Sequence, residues 1–151
     1  MKNNEETKPL GLEIRMVANS IKKYLDKYLS ESTGIDLTGV EGMTIFFIFR
    51  NRDKKFTSKD VMTSFRISKA TASQTLNGLV DKGYITMKND LEDRRSKVIE
   101  LTEVGKEMQK KFDDSLKIVR KKITKGINEE EEAAFRATLN KILSNVGEEN
   151  I

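Results

Sequence analysis

Apolar positions recur along this chain at two spacings, and the change from one to the other marks its organisation. From Leu10 to about Leu29 they fall at Ile14, Val17, Ile21, Tyr24, Leu25 and Tyr28, a helical period that predicts a first amphipathic helix. Ser30 to Asp36 contains Gly34 and reads as a turn. Thr38 and Glu41 then have capping-box spacing. They open a helix holding Val40, Met43, Ile45, Phe46, Phe47, Ile48 and Phe49. It is apolar on nearly every side towards its end, the signature of a central, buried helix. Asn51 to Lys55 breaks the pattern as an exposed loop. Thr57 and Asp60 repeat the capping spacing for a short helix, Ser58 to Ser64, with Val61, Met62 and Phe65 as its buried side. Phe65-Arg66-Ile67 is a tight connection, with Arg66 roughly where such a turn usually has glycine. Ser68 caps the next helix, which runs through Lys82 and stops at Gly83, a residue free to take the left-handed conformation. Ile67 is placed to fold back on Ala72 as a hydrophobic staple.

After Gly83 the period becomes two. Tyr84 to Lys88 reads as a strand with Ile85 and Met87 on one face, and Ser96 to Leu101 as its partner, with Lys97, Ile99 and Leu101 on one side and Val98 on the other. The loop between them, Asn89 to Arg95, is polar, with Leu91 as its one apolar anchor. Thr102 opens a fifth helix whose stripe is Val104, Met108, Phe112, Leu116, Val119 and Ile123, ended by Gly126. Asn128 caps a sixth. There Glu129 to Glu132 occupy the first turn, where the helix dipole favours negative charge, and Phe135, Leu139, Ile142, Leu143 and Val146 form the apolar side.

The helix opened by Ser68 is the organising element. Ala72, Leu76, Leu79 and Val80 are spaced for burial, while Lys69, Thr71, Ser73, Gln74 and Asn77 form the opposite face. Short, mostly uncharged hydrogen-bonding side chains are a poor choice for mere solubility and a good one for the floor of a DNA groove. Two short helices with a tight junction make a helix-turn-helix, and a hairpin directly after it makes a winged helix. The fold expected is therefore mainly α with a small β wing: one domain over 10–151 behind a disordered lead at 1–9, with the winged-helix lobe at 38–101 and a frayed tail at 147–151. The flanking helices, 10–30 and 103–146, carry more apolar face than that lobe can cover. Pairing with a second copy through shared terminal helices covers it, as does a monomeric bundle folded back on itself. The length of the fifth helix's stripe favours the dimer.

Composition narrows the chemistry. The 151 residues contain no Cys and no His. Disulfides, thiolate or imidazole metal sites and histidine general bases are thus excluded. No Gly-rich phosphate loop appears, and the acidic residues sit at helix starts or in exposed patterns, so no enzyme, cofactor or metal is expected. No stretch approaches the length of a membrane span and the charged start is no signal peptide, which points to a cytoplasmic protein. The formal net charge is +4, but Arg50 to Lys97 holds 12 Lys/Arg against 6 Asp/Glu, a net of +6, leaving −2 for the rest. Positive charge concentrated around the polar helix fits binding to double-stranded DNA. A protein-interaction scaffold without specific DNA binding is the alternative.

The run Ser68 to Gly83, then Tyr84-Ile85, Asp90-Leu91-Glu92-Asp93-Arg94-Arg95 and Leu101-Thr102-Glu103-Val104-Gly105-Lys106 resembles the MarR family of bacterial transcription regulators. The resemblance implies a homodimer on a pseudo-palindromic operator, usually a repressor and often released by a small molecule. It makes Ser68–Lys82 the recognition helix, Asp93 the wing acid and Arg95 the wing arginine. Arg95 can then enter a narrow minor groove, with Asp93 holding its guanidinium. Arg94 and Lys97 are candidates for phosphate, or are plainly solvated. Lys69, Thr71 and Gln74 are the first choices for base edges, and Ser68, Ser73 and Asn77 for phosphates. An organic effector would lie against Met16, Tyr24, Met43, Phe46, Phe47 and Phe112, residues that serve equally as core.

Overall fold

A computed structural model of the chain describes residues 8–147. Residues 1–7 of the expected lead and 148–151 of the expected tail lie outside the described residues. Pro9, assigned to that lead, is instead the residue that starts α1 (Leu10–Tyr28), where its fixed φ suits a helix entry. The chain does not turn at Ser30. Helical geometry continues as one π-type turn, Leu29–Thr33, and stops at Gly34, whose φ of 64° is left-handed. Leu29 explains the extension, because the added turn carries it into the core, where it is wholly buried.

The winged-helix region follows the predicted order: α2 (Gly39–Arg50), α3 (Ser58–Phe65), α4 (Lys69–Asp81), β1 (Ile85–Asn89) and β2 (Lys97–Leu101). The capping boxes of Thr38 with Glu41 and of Thr57 with Asp60 are both formed. Arg66 takes the left-handed conformation at φ 51° that a glycine would normally supply in this turn. β1 and β2 are antiparallel, with Ile85 opposite Leu101 and Met87 opposite Ile99. Two contacts beyond the predicted hairpin seat it on the helices. The Ile99 amide donates to the Phe56 carbonyl at 2.8 Å, and Thr57 bridges to Val98.

The core is built from Leu29, Ile45, Ile48, Val61, Leu76, Leu79, Ile85, Ile99 and Phe112, with neighbouring apolar residues packed around them. Four expected burials do not occur. Val80 is 40% exposed, because α4 rests on the face defined by Ala72, Leu76 and Leu79. Leu91 does not anchor the wing and is 99% exposed. On α5 (Glu103–Ile123) the buried line is Gly105, Gln109, Phe112, Ser115 and Val119, leaving Val104 and Ile123 outside it. A helix that crosses close to its neighbours buries small and polar residues that an apolar stripe does not reveal.

Two glycines set those approaches. A Cβ on Gly42 would fall 2.0 Å from the Phe112 ring, and one on Gly105 would fall 2.0 Å from the Tyr84 carbonyl oxygen. At the second point Thr102 also donates its hydroxyl to the Gly83 carbonyl at 2.7 Å, accepts from the Gly105 amide at 3.0 Å, and gives its own amide to Tyr84 at 3.1 Å. Residues 120–147 form a second compact unit. It holds the last turn of α5 and α6 (Glu129–Asn145), which opens with the expected Asn128–Glu131 capping box. Gly126, expected to end the fifth helix, is left-handed with φ 83°. No helix among the described residues is long and apolar enough to cross a membrane.

Gly105→Ala should cost about 2–4 kcal/mol in urea unfolding, because the obstructing atom is backbone and cannot step aside. Gly11→Ala, with nothing within 4 Å, should change stability by no more than about 0.5 kcal/mol.

Candidate nucleic-acid interface

Ser68 stands in extended conformation ahead of α4 and accepts the Thr71 amide at 3.2 Å. The Ser68 and Thr71 hydroxyls also bond each other at 2.9 Å, so each keeps only part of its capacity for a ligand. Ser68, Lys69, Thr71, Ser73, Gln74 and Asn77 are all exposed on the side of α4 away from the core. The one-sided burial of Ala72, Leu76 and Leu79 is what turns them outward together. Among the described residues the side chains of Lys69, Gln74 and Asn77 take part in no hydrogen bond or ion pair, leaving their donors and acceptors open.

The wing is organised differently from the sequence expectation. Asp93 does not hold the Arg95 guanidinium. Its carboxylate accepts the Arg95 backbone amide at 3.0 Å, while the Ser96 amide donates to the Asp93 carbonyl at 2.9 Å. That is an Asx turn, in which a short acidic side chain fixes its own backbone two residues on. Its consequence is that Arg94 and Arg95 occupy the two tip positions, their guanidinium groups without a hydrogen bond or ion pair among the described residues, and Lys97 follows, exposed, at the start of β2. Arg95 is thus placed through its backbone, not through an ion pair.

A residue that the sequence reading missed fastens the wing from outside. Lys55, from the loop after α2, reaches Asp90 at 3.0 Å and Glu92 at 2.5 Å. The Asp90 carboxylate is held below its ordinary pKa by the Glu92 backbone amide first and Lys55 second. The Lys55 ammonium is raised by its hydrogen bonds to Glu92 and then Asp90. Sequence offered no signal for this contact, since the partners are 35 and 37 positions apart and each looks like an ordinary surface charge.

The six residues considered for an effector site are not gathered into one cavity on this chain. Phe112 is fully buried under α2, Met43, Phe46 and Phe47 are half-buried against the core, and Met16 and Tyr24 lie exposed on α1. Phe47 meets Phe46 and Phe65 edge-on, with ring centroids 6.0 and 5.3 Å away. A cleft of about 520 Å³ lies elsewhere, with Ile48, Phe49, Phe56, Val98 and Lys55 among its walls.

The model of the MarR family matches residues 35–96, from before α2 to the end of the wing turn. Over that stretch the chain resembles the MarR family. Among solved structures it is similar to the S. aureus MepR–DNA complex, with 24% identity, coverage of 93% of this chain and 99% of that one, and a TM-score of 0.82. A mutant E. coli MarR complexed with operator DNA is 22% identical over 95% and 99% of the two chains, with a TM-score of 0.80. The heme-free PefR structure is 27% identical over 89% and 97%, with a TM-score of 0.69. No curated protein matches the sequence. The likenesses to the MepR and MarR structures show that the chain has their winged-helix fold.

The two shifts set a pH window for the wing. Depressed in the folded wing, Asp90 contributes its anchor fully at neutral pH and loses it only as pH falls through the lowered value. Lys55, raised, loses its share only as pH rises through the higher value. Amide NMR signals of Arg94 and Arg95 should therefore stay fixed between about pH 5 and 9. Asp90→Asn should broaden or shift them throughout that range.

Proposed function

We propose that this chain is a member of the MarR family and a homodimeric repressor of a pseudo-palindromic operator, relieved by a small organic effector. The observation that carries the reading is the pairing of two features on one compact unit. The outward face of α4 presents open hydrogen-bonding side chains, and the wing turn presents two unpaired guanidinium groups. α4 enters the major groove, with Lys69, Thr71 and Gln74 at base edges and Ser68, Ser73 and Asn77 at phosphates. Arg95 reaches into the adjacent minor groove, and Arg94 and Lys97 meet the backbone.

The dimer is supported by apolar surface left uncovered. α1 has no buried residue, and Val17 is 54% exposed with Met16, Ile21 and Tyr24 beside it in sequence period. α6 likewise buries nothing, with Phe135 59% exposed. A second copy of the chain offers the same faces and satisfies both. The effector is assigned to the surface around Met16, Tyr24, Met43, Phe46 and Phe47, with Phe112 behind them. PefR is described as a heme sensor. This chain has no His or Cys, so it offers a heme iron neither imidazole nor thiolate, and an organic molecule or anion is the better fit.

Selection of bound duplexes from random DNA should recover a two-fold symmetric site, bound with steep salt dependence. Arg95→Ala should weaken binding to that site by at least about tenfold, leaving thermal stability unchanged. Equal affinity would remove the wing from the interface. Val17→Glu with Ile21→Glu should shift the sedimentation coefficient from dimer to monomer; a wild-type protomer that is monomeric at micromolar concentration would end the dimer reading.

A further inference from the structure

The end of α4 far from Ser68 is held by an ion pair that touches no DNA-facing residue. Glu41, in the first turn of α2, is only 8% exposed. One carboxylate oxygen accepts the Thr38 amide at 2.8 Å and the Lys82 ammonium at 2.9 Å, and the other accepts Lys82 at 3.1 Å. Lys82 is the residue that closes α4, and Asp36 adds a third charge at 3.6 Å. One turn back along α4, a Cβ on Gly78 would stand 2.8 Å from the same Glu41 carboxylate. The carboxylate therefore rests directly on the α4 backbone, and the missing side chain is what admits it.

Burial opposes the Lys82 ammonium, but its hydrogen bond to Glu41 and the charges of Glu41 and Asp36 outweigh this and raise its pKa. A partly buried pair is a weak source of stability, because desolvation cancels much of the attraction. Its directional bonds do something an apolar contact cannot. Ala72, Leu76 and Leu79 fix which face of α4 is buried, and apolar contacts tolerate a small roll or tilt. A hydrogen-bonded carboxylate at the helix end does not. A 13-residue helix is roughly 20 Å long, so a tilt of about 10° at that end moves the other by roughly 3 Å. That distance makes or breaks a base contact.

We infer that Glu41 and Lys82, with Gly78 admitting the carboxylate, are positioning residues that set the angle of the recognition helix and hence its discrimination between DNA sequences. The inference rests on the DNA-binding reading above.

The test compares duplexes selected by the wild-type protein from a random pool with a scrambled duplex of equal length. Measurements are made where thermal melting shows each variant folded. Lys82→Met should lose about tenfold or more on the selected duplex and less than about threefold on the scrambled one. The slope of log affinity against log salt should be unchanged. Lys82→Arg, able to meet Glu41 in bidentate fashion, should restore discrimination. Gly78→Ala keeps every charge and favours helix, yet should lose discrimination because its methyl displaces the carboxylate; it also serves if Lys82→Met does not fold. A salt slope shallower by about one would mean that Lys82 itself touches phosphate and would overturn the inference. So would equal losses on both duplexes, or unmoved discrimination in the two variants. Failure of the wild-type protein to retain any DNA would instead end the DNA-binding reading along with it.

Discussion

The crossing of α5 over the start of β1 is the contact on which the DNA-facing part of this molecule depends. Four chain directions meet there: α4 leaves, β1 begins, β2 leaves and α5 begins. The Tyr84 carbonyl lies against Gly105 with no room for a methyl between them. The Thr102 hydroxyl joins the Gly83 carbonyl to the Gly105 amide. Backbone groups at such junctions must find partners or be left unsatisfied away from water, and one threonine serves two of them. The Leu-Thr-x-x-Gly run is therefore a structural weld. It gives α4 and the wing a common base.

From that base the two DNA-facing elements are held by different means. α4 is placed by apolar burial along one side and by the Glu41–Lys82 pair at its end. The wing tip has no apolar anchor and is placed by polar groups alone, the Asp93 turn from within and Lys55 from without. The wing loop carries three carboxylates, Asp90, Glu92 and Asp93, on an element proposed to approach a polyanion. Lys55 pairs with two of these and the Arg95 amide engages the third, so all three carboxylates are occupied by partners other than the Arg94 and Arg95 guanidinium groups. Exposed ion pairs contribute little to stability; here they matter for where charge points.

The outer helices follow another logic. α1 and α6 have helical period and sound caps or entries, but neither buries a residue among those described. Their apolar faces are coherent and uncovered, as interaction surfaces are. Leu29 and Phe112 carry packing from the flanking helices into the core of the winged-helix lobe.

Sequence by itself determined what depends on near neighbours. The capping pairs at Thr38, Thr57 and Asn128, the left-handed Gly83, the helix end at Gly126 and the polar face of α4 all follow from residues within a turn or two of each other. The substitution of Arg66 for a turn glycine was visible in the same way. Only the tertiary structure decided what depends on close approach between distant segments. It turned Val80 outward, since α4 has a single neighbour-facing side. It buried Gly105, Gln109 and Ser115, which carry no hydrophobic signal, because small residues are what allow α5 to come near. It gave Asp93 a backbone partner instead of a guanidinium and tied Lys55 to Asp90 and Lys82 to Glu41. Periodicity records which side of an element faces inward, whereas the partner of a charge is fixed by distances that exist only once the chain has folded.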